Sequence, residues 1–242
     1  MKIVLMYHDV VNVRHPKSGF QKVGALQYTI DSRVFSKQVS EFCTKNVIFS
    51  FDDGGDSFYN EIAPALEYKE QNGIFFISTK YIDTPYFLTK TQIKELDERG
   101  HVIASHSHTH PGVISGLSYT EIVKEWKLSK RILEEIVGHT VTVASVPGGA
   151  VSNDVIRAAA EAGYKTLYTS EPTTEIRNEF GVEVIGRYTV SKDTTIEILD
   201  KIVNDSYYRA SLQKRYKRLL LAKRLLGSNY NRLKQLVLNL KR

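Results

Sequence analysis

The chain has 242 residues, 42% hydrophobic and 25% charged, with one cysteine, Cys43. This is the balance of a globular protein with room for a sizeable core; it excludes a disordered chain, and the lone cysteine excludes an internal disulfide framework and suits a reducing compartment. The net charge of +6 is unevenly spread: no acid follows Asp205 and eleven Lys and Arg lie from Arg209 to Arg242, so the first 208 residues carry 22 bases against 27 acids.

In chain order, KIVLMY at 2–7 reads as a buried strand ending at His8-Asp9. Its apolar run is too short for a signal-peptide core, and nothing later approaches a membrane span, so the expected location is cytoplasmic. Residues 12–30 have no period and read as loop. Val34 to Phe42 reads as an amphipathic helix capped by Asp31 or Ser32. The strand VIFSF at 47–51 runs into Asp52-Asp53-Gly54-Gly55, and a helix is expected over 58–71, stopped by Asn72-Gly73.

Strand GIFFIS, a Thr-capped helix ending at Gly100, and strand HVIAS follow, the last running directly into HSHTHP at 106–111. Ser118 with Glu121 forms a capping box for the longest helix, to Val137, with Trp126 on its core face. Strand TVTVAS leads to Pro147-Gly148-Gly149, then come a helix at 153–162, strand YKTLYT, a strand at 182–188 and a helix from Thr194 to Val203. This alternation predicts an α/β domain with a mainly parallel sheet, open or closed into a barrel. His8-Asp9, Asp52-Asp53, the His106 to His110 cluster and Pro147 to Gly149 all fall at carboxyl ends of strands, the face on which α/β sites assemble.

Side chains alternate along a strand, so adjacent Asp52 and Asp53 normally diverge. Where the chain begins to turn, both can reach one site. Two buried carboxylates need a metal or another partner to offset their charge; the structural alternative is that one caps the next helix. In a turn after a strand, His106 and His110 can bring their imidazoles together, with His108 pointing elsewhere. Two histidines and one aspartate make a ligand set with open positions, as in catalytic metal sites.

SFDDG at 50–54 and HSHTH at 106–110 resemble the two signature motifs of the polysaccharide deacetylases, the NodB-like carbohydrate esterases. PGG at 147–149, before a helix ending in AGY, is similar to that family's third motif. The resemblance spans roughly residues 1–190. It implies a distorted (β/α) barrel with fewer than eight repeats, and a divalent metal, usually zinc, on Asp53, His106 and His110. It further implies Asp52 as general base for a metal-bound water, substrate contacts near Pro147, Gly148 and Gly149, and hydrolysis of acetyl groups, mostly N-acetyl, on carbohydrates. Such chemistry needs an activated water and stabilisation of the developing oxyanion, both of which a metal supplies.

The chain departs from the pattern where it has Ser145 two residues before the motif proline in place of an arginine, and where no late histidine follows His139. His8 is a candidate for the missing acid and Arg187 for the missing arginine. These departures keep two alternatives open: a catalytically impaired carbohydrate-binding or regulatory module, and a hydrolase of a non-carbohydrate amide.

Residues 1–205 read as the catalytic domain and 206–242 as a basic amphipathic helical extension. In the extension Leu212, Tyr216, Leu219, Leu226, Tyr230, Leu233, Val237 and Leu240 form a stripe, divided at Gly227-Ser228. The stripe suits packing on the barrel, on a second subunit, or on an anionic membrane through 209–242, at the inner face, where a glycan precursor would be met. The acidic body and the lack of a recognition motif argue against a nucleic-acid partner.

Overall fold

The computed structural model describes residues 2–226. The chain begins with strands β1 (Ile3–Tyr7), β2 (Val10–Val11) and β3 (Ile30–Asp31), then helix α1 (Ser32–Phe42) and strand β4 (Val47–Phe51). Helix α2 (Ala63–Glu67), β5 (Gly73–Ile77), α3 (Lys90–Glu98), β6 (Val102–Ser105), α4 (Tyr119–Val137), β7 (Val143–Ser145) and α5 (Asn153–Glu161) continue the alternation. Strands β8 (Thr166–Tyr168), β9 (Ile176–Glu179), β10 (Val182–Ile185) and β11 (Tyr188–Thr189) precede helices α6 (Ile196–Asn204) and α7 (Ser206–Leu226).

The main sheet runs β11-β1-β4-β5-β6-β7-β8-β10-β9, parallel except for the β9–β10 pair. The expected single strand at 182–188 is bent. Its first half, β10, pairs with β8, and its second half, β11, pairs with β1. One segment therefore bridges the two ends of the curled sheet, leaving seven parallel staves in a distorted (β/α) barrel. Gly186 permits the bend, because a Cβ there would run into the Glu171 carbonyl and the Thr173 side chain.

Alternation along the staves sorts two layers of packing. Ile3, Leu5, Tyr7, Phe49, Phe51, Phe75 and Ile77 belong to the large core shared with the helices, while Val4, Phe76, Ala104 and Tyr168 form a small separate cluster inside the barrel. Asp52 continues the interior row of Ile48 and Ser50, and His106 that of Ala104, so the candidate site lies directly above this inner cluster. Trp126 is buried in the outer core, edge-on to Tyr164 at 5.6 Å.

Several local expectations are corrected. The helix over 58–71 is a π-turn at Phe58–Ile62 followed by only five α-residues. Pro64 lacks the N–H that an α-turn would donate, and the Ala63 N–H reaches back to the Phe58 carbonyl instead. Residues 12–30 are not wholly loop: beside them β2 and β3 pair in parallel, with Val10 opposite Ile30. The antiparallel strand β9 was not expected; it joins β10 through Phe180-Gly181, both at positive φ, the geometry of a type I′ turn.

Helix α7 starts at Asp205, whose Oδ1 accepts from the Tyr207 and Tyr208 N–H groups, and Tyr208 and Leu212 pack against the outer core. The expected break at Gly227-Ser228 and the outer half of the stripe lie outside the described residues. Among the described residues no helix is long and apolar enough to cross a membrane.

Candidate active site

Asp52 and Asp53 converge because the backbone turns abnormally between them. Asp53 and Gly54 both take φ +89°, and for a non-glycine residue this left-handed conformation is strained. The turn is held from outside, since the Asp53 and Gly54 carbonyls accept from the Ser78 and Leu88 N–H groups. The second motif is similarly contorted, with Ser107 at φ +64° and His110 at φ +54°. Glu125 of α4 pins that loop by accepting from the His108 and Thr109 N–H groups and the Thr109 hydroxyl. His108 turns away from the site to Thr79, 2.9 Å from its hydroxyl.

These turns bring His110 Nε2 to 3.2 Å and His106 Nε2 to 3.5 Å from Asp53 Oδ1. One ligand atom from each of Asp53, His106 and His110 lies within 4.8 Å of the others, the grouping expected from the motifs. Burial pushes the His106 imidazole down to about 4 despite the attraction of Asp52, so it is neutral, the ligating form, at neutral pH. Burial alone would raise Asp53, but the His110 hydrogen bond and the charges of His8, His110 and His106 hold it low. His110 is pulled down by burial and then carried above its ordinary value by Asp53, so the pair shares a proton that a cation could replace. A carboxylate and two imidazoles converging in this way fit a divalent metal.

Asp52 has different company. Arg187, at the bend of the closing strand and 0% exposed, donates from both ends of its fork, at 2.6 Å to Oδ1 and 2.7 Å to Oδ2. Its Nε–H donates to the Thr169 carbonyl, and the guanidinium lies 5.0 Å from the Phe76 ring centroid. Burial disfavours the Asp52 carboxylate, but Arg187, with help from His106, outweighs it and holds the group well below the usual range. The sequence put Ser145 where an arginine was wanted, and the structure gives that serine a use. Its Oγ lies 2.6 Å from His106 Nδ1 and donates to Asp52 Oδ1 at 3.3 Å, bridging the two motifs.

His8 lines the same cavity, stacked on Tyr28 at 4.7 Å, with Nδ1 buried and unpartnered among the described residues. Gly148 and Gly149 also line it, whereas Pro147 is buried and does not. Gly148, at φ +66°, passes so close to Gly112 that a Cβ would meet that carbonyl. The cavity measures about 660 Å³. Sequence reasoning missed Glu125, whose partners are 16 and 17 residues away, and Phe20, which stands 4.9 Å from the His110 ring in a segment without period.

Residues 40–167 match the family described as polysaccharide deacetylase, a span that contains both aspartates, both candidate histidine ligands and Ser145. The chain belongs to the polysaccharide deacetylase family. Arg187 lies beyond the matched stretch. YxkH of Bacillus subtilis, which bears the family's name, is 28% identical over 207 residues, covering 78% of this chain and 71% of its own. PdaC of Bacillus subtilis, a peptidoglycan-N-acetylmuramic acid deacetylase, is 25% identical over 67% of this chain, which spans only 37% of that protein. A peptidoglycan-N-acetylglucosamine deacetylase of Bacillus cereus is 28% identical over 128 residues, 52% of this chain and 57% of that enzyme. The deacetylase fold is shared with solved structures. Streptococcus pyogenes deacetylase PplD, in complex with acetate, superposes with TM-score 0.68 at 19% identity, over 84% of this chain and 98% of its own. A de-N-acetylase from Aggregatibacter actinomycetemcomitans gives 0.67 at 21%, over 83% and 99%.

Proposed function

We propose that this deacetylase removes the N-acetyl group of an amino sugar in a glycan or glycan precursor, with zinc held by Asp53, His106 and His110 and Asp52 as general base. The observation that carries the reading is the division between the two aspartates: one oxygen of Asp53 faces both histidines, whereas Asp52 is gripped through both oxygens by Arg187 and approaches only His106, at 3.8 Å. The peptidoglycan deacetylase activities named for the Bacillus relatives support the choice of an N-acetyl sugar. A bound zinc supplies an activated water and polarises the acetyl carbonyl.

The chain's own residues do the rest. Asp52 accepts the proton of the attacking water as its oxygen bonds to the carbonyl carbon. Arg187 and Ser145 fix the orientation of that carboxylate, so its basic lone pair is presented to the cavity rather than to the barrel interior. When the C–N bond breaks, the amine leaves with a proton; His8, in the same cavity, delivers it, and acetate is the second product. Acetate release from chitin oligomers tests the reading: it requires zinc after chelation and reconstitution, and Asp52→Asn is expected to lower kcat by about 10²–10⁴. Turnover by Asp52→Asn within tenfold of the parent would refute the general-base assignment.

A further inference from the structure

The C-terminal helix does more than pack. Tyr216 and Leu220 of α7, one turn apart, line the cavity that holds Asp52, Asp53, His106 and His110. Tyr216 also borders a smaller cavity of about 210 Å³, shared with Leu212 and Leu219 and closed by Tyr188 and Ile202. The helix is anchored independently of the cavity, because Leu212 packs on the core and Arg209 donates to the Ile202 and Val203 carbonyls at the end of α6. Leu220 nevertheless remains 43% exposed at the cavity mouth.

Other residues that line the cavity are aromatic too. Phe20 and Tyr81 stand edge to face at 4.8 Å near His110, and Tyr28 lies flat on His8. Flat apolar rings with polar rims match the faces of sugar rings, and a cleft of this volume accommodates several rings rather than one. We propose that α7 is the outer wall of an oligosaccharide groove, and that Tyr216, with Leu220 beside it, contacts sugar units flanking the one that loses its acetyl group. This deepens the functional reading above and rests on it: a helix beyond the stretch that matches the family supplies specificity-determining residues to the same site.

The test uses the full 242-residue chain with N-acetylglucosamine and its linear tetramer as probes. In Tyr216→Ala the ratio of kcat/KM for tetramer over monomer is expected to fall about tenfold, mainly through KM, and Tyr216→Phe to restore it, since the ring face and not the hydroxyl is used. Leu219→Ala, which truncates a half-exposed side chain on the same helix that borders only the smaller cavity, keeps the parental ratio. Calorimetric titration of tetramer into Asp52→Asn and Asp52→Asn/Tyr216→Ala separates this idea from the reaction itself. A roughly tenfold weakening supports the groove even if no acetate is ever released. Equal tetramer binding by the two proteins, no tetramer binding by either, or the same loss of ratio in Leu219→Ala overturns it.

Discussion

Asp52 is a buried carboxylate whose charge is matched by one buried guanidinium, and that pairing makes it vulnerable. Removing one partner of such a pair leaves an uncompensated charge in a dry site, at about 3–5 kcal/mol. Arg187→Met is therefore expected to destabilise the protein by that order in urea unfolding and to abolish acetate release. Asp52→Asn/Arg187→Met should recover part of the stability and none of the activity. Asp9 makes a different prediction. It is buried, accepts from the Ser18 and Ser57 hydroxyls, and is pushed up to about 7, by burial first and by the neighbouring charge of Asp53. Its folded pKa lies above the unfolded one, so between about pH 4 and 7 the native state holds a proton that the unfolded chain has lost. That stabilisation is complete below about pH 4 and disappears as pH rises through about 7. Asp9→Asn, whose amide oxygen still accepts from both serines, should flatten the fall in stability from pH 5 to 8 by at least the ~1.4 kcal/mol of one pKa unit. An unchanged pH profile would remove Asp9 from the account.

At the scale of elements, period and caps were legible and register was not. Helix α4 begins and ends where the Ser118-Glu121 box and Gly138 put it, and the strand at 47–51 is present as VIFSF. The short α2 was masked because its apolar spacing is helical; the information lay in Pro64, whose missing N–H shifts one turn to π spacing. Strand β9 was invisible because its turn is Phe180-Gly181 rather than Asn-Gly, so the usual hairpin signal is absent. Phe180 takes φ +54° while 53% exposed, a conformation asparagine tolerates better. Phe180→Asn is expected to stabilise the protein by about 0.5–1 kcal/mol, read as a rise in Tm of roughly 1–4 °C. A fall in Tm would mean that the ring makes contacts worth more than the turn.

At the scale of the molecule, the motif residues were legible because their chemistry sits in short words: DD, HxxxH, PGG. Their cooperation was not. That Asp53 bends back into the barrel depends on a positive φ, and that Arg187 reaches Asp52 across 135 residues depends on how the sheet curls. The candidate ligands Asp53, His106 and His110 follow two separate staves, so a cation held there would tie β4 to β6. Zinc in excess is expected to raise Tm in proportion to RT ln(1 + [L]/Kd), about 2.7 kcal/mol at a hundredfold excess over Kd, and His110→Ala to suppress the shift. An equal shift in that variant would place the metal elsewhere.

The bent segment that closes the barrel has a consequence in time as well as space. During synthesis the two aspartates, both histidines and Ser145 emerge long before residue 187. Until that residue arrives the first stave lacks one neighbour, and the Asp52 carboxylate has no guanidinium to meet. A nascent or truncated chain ending before Gly186 should therefore hold a protonated or solvated Asp52 in an open sheet. The pairing of Asp52 with Arg187 thus waits on the last stave to leave the ribosome.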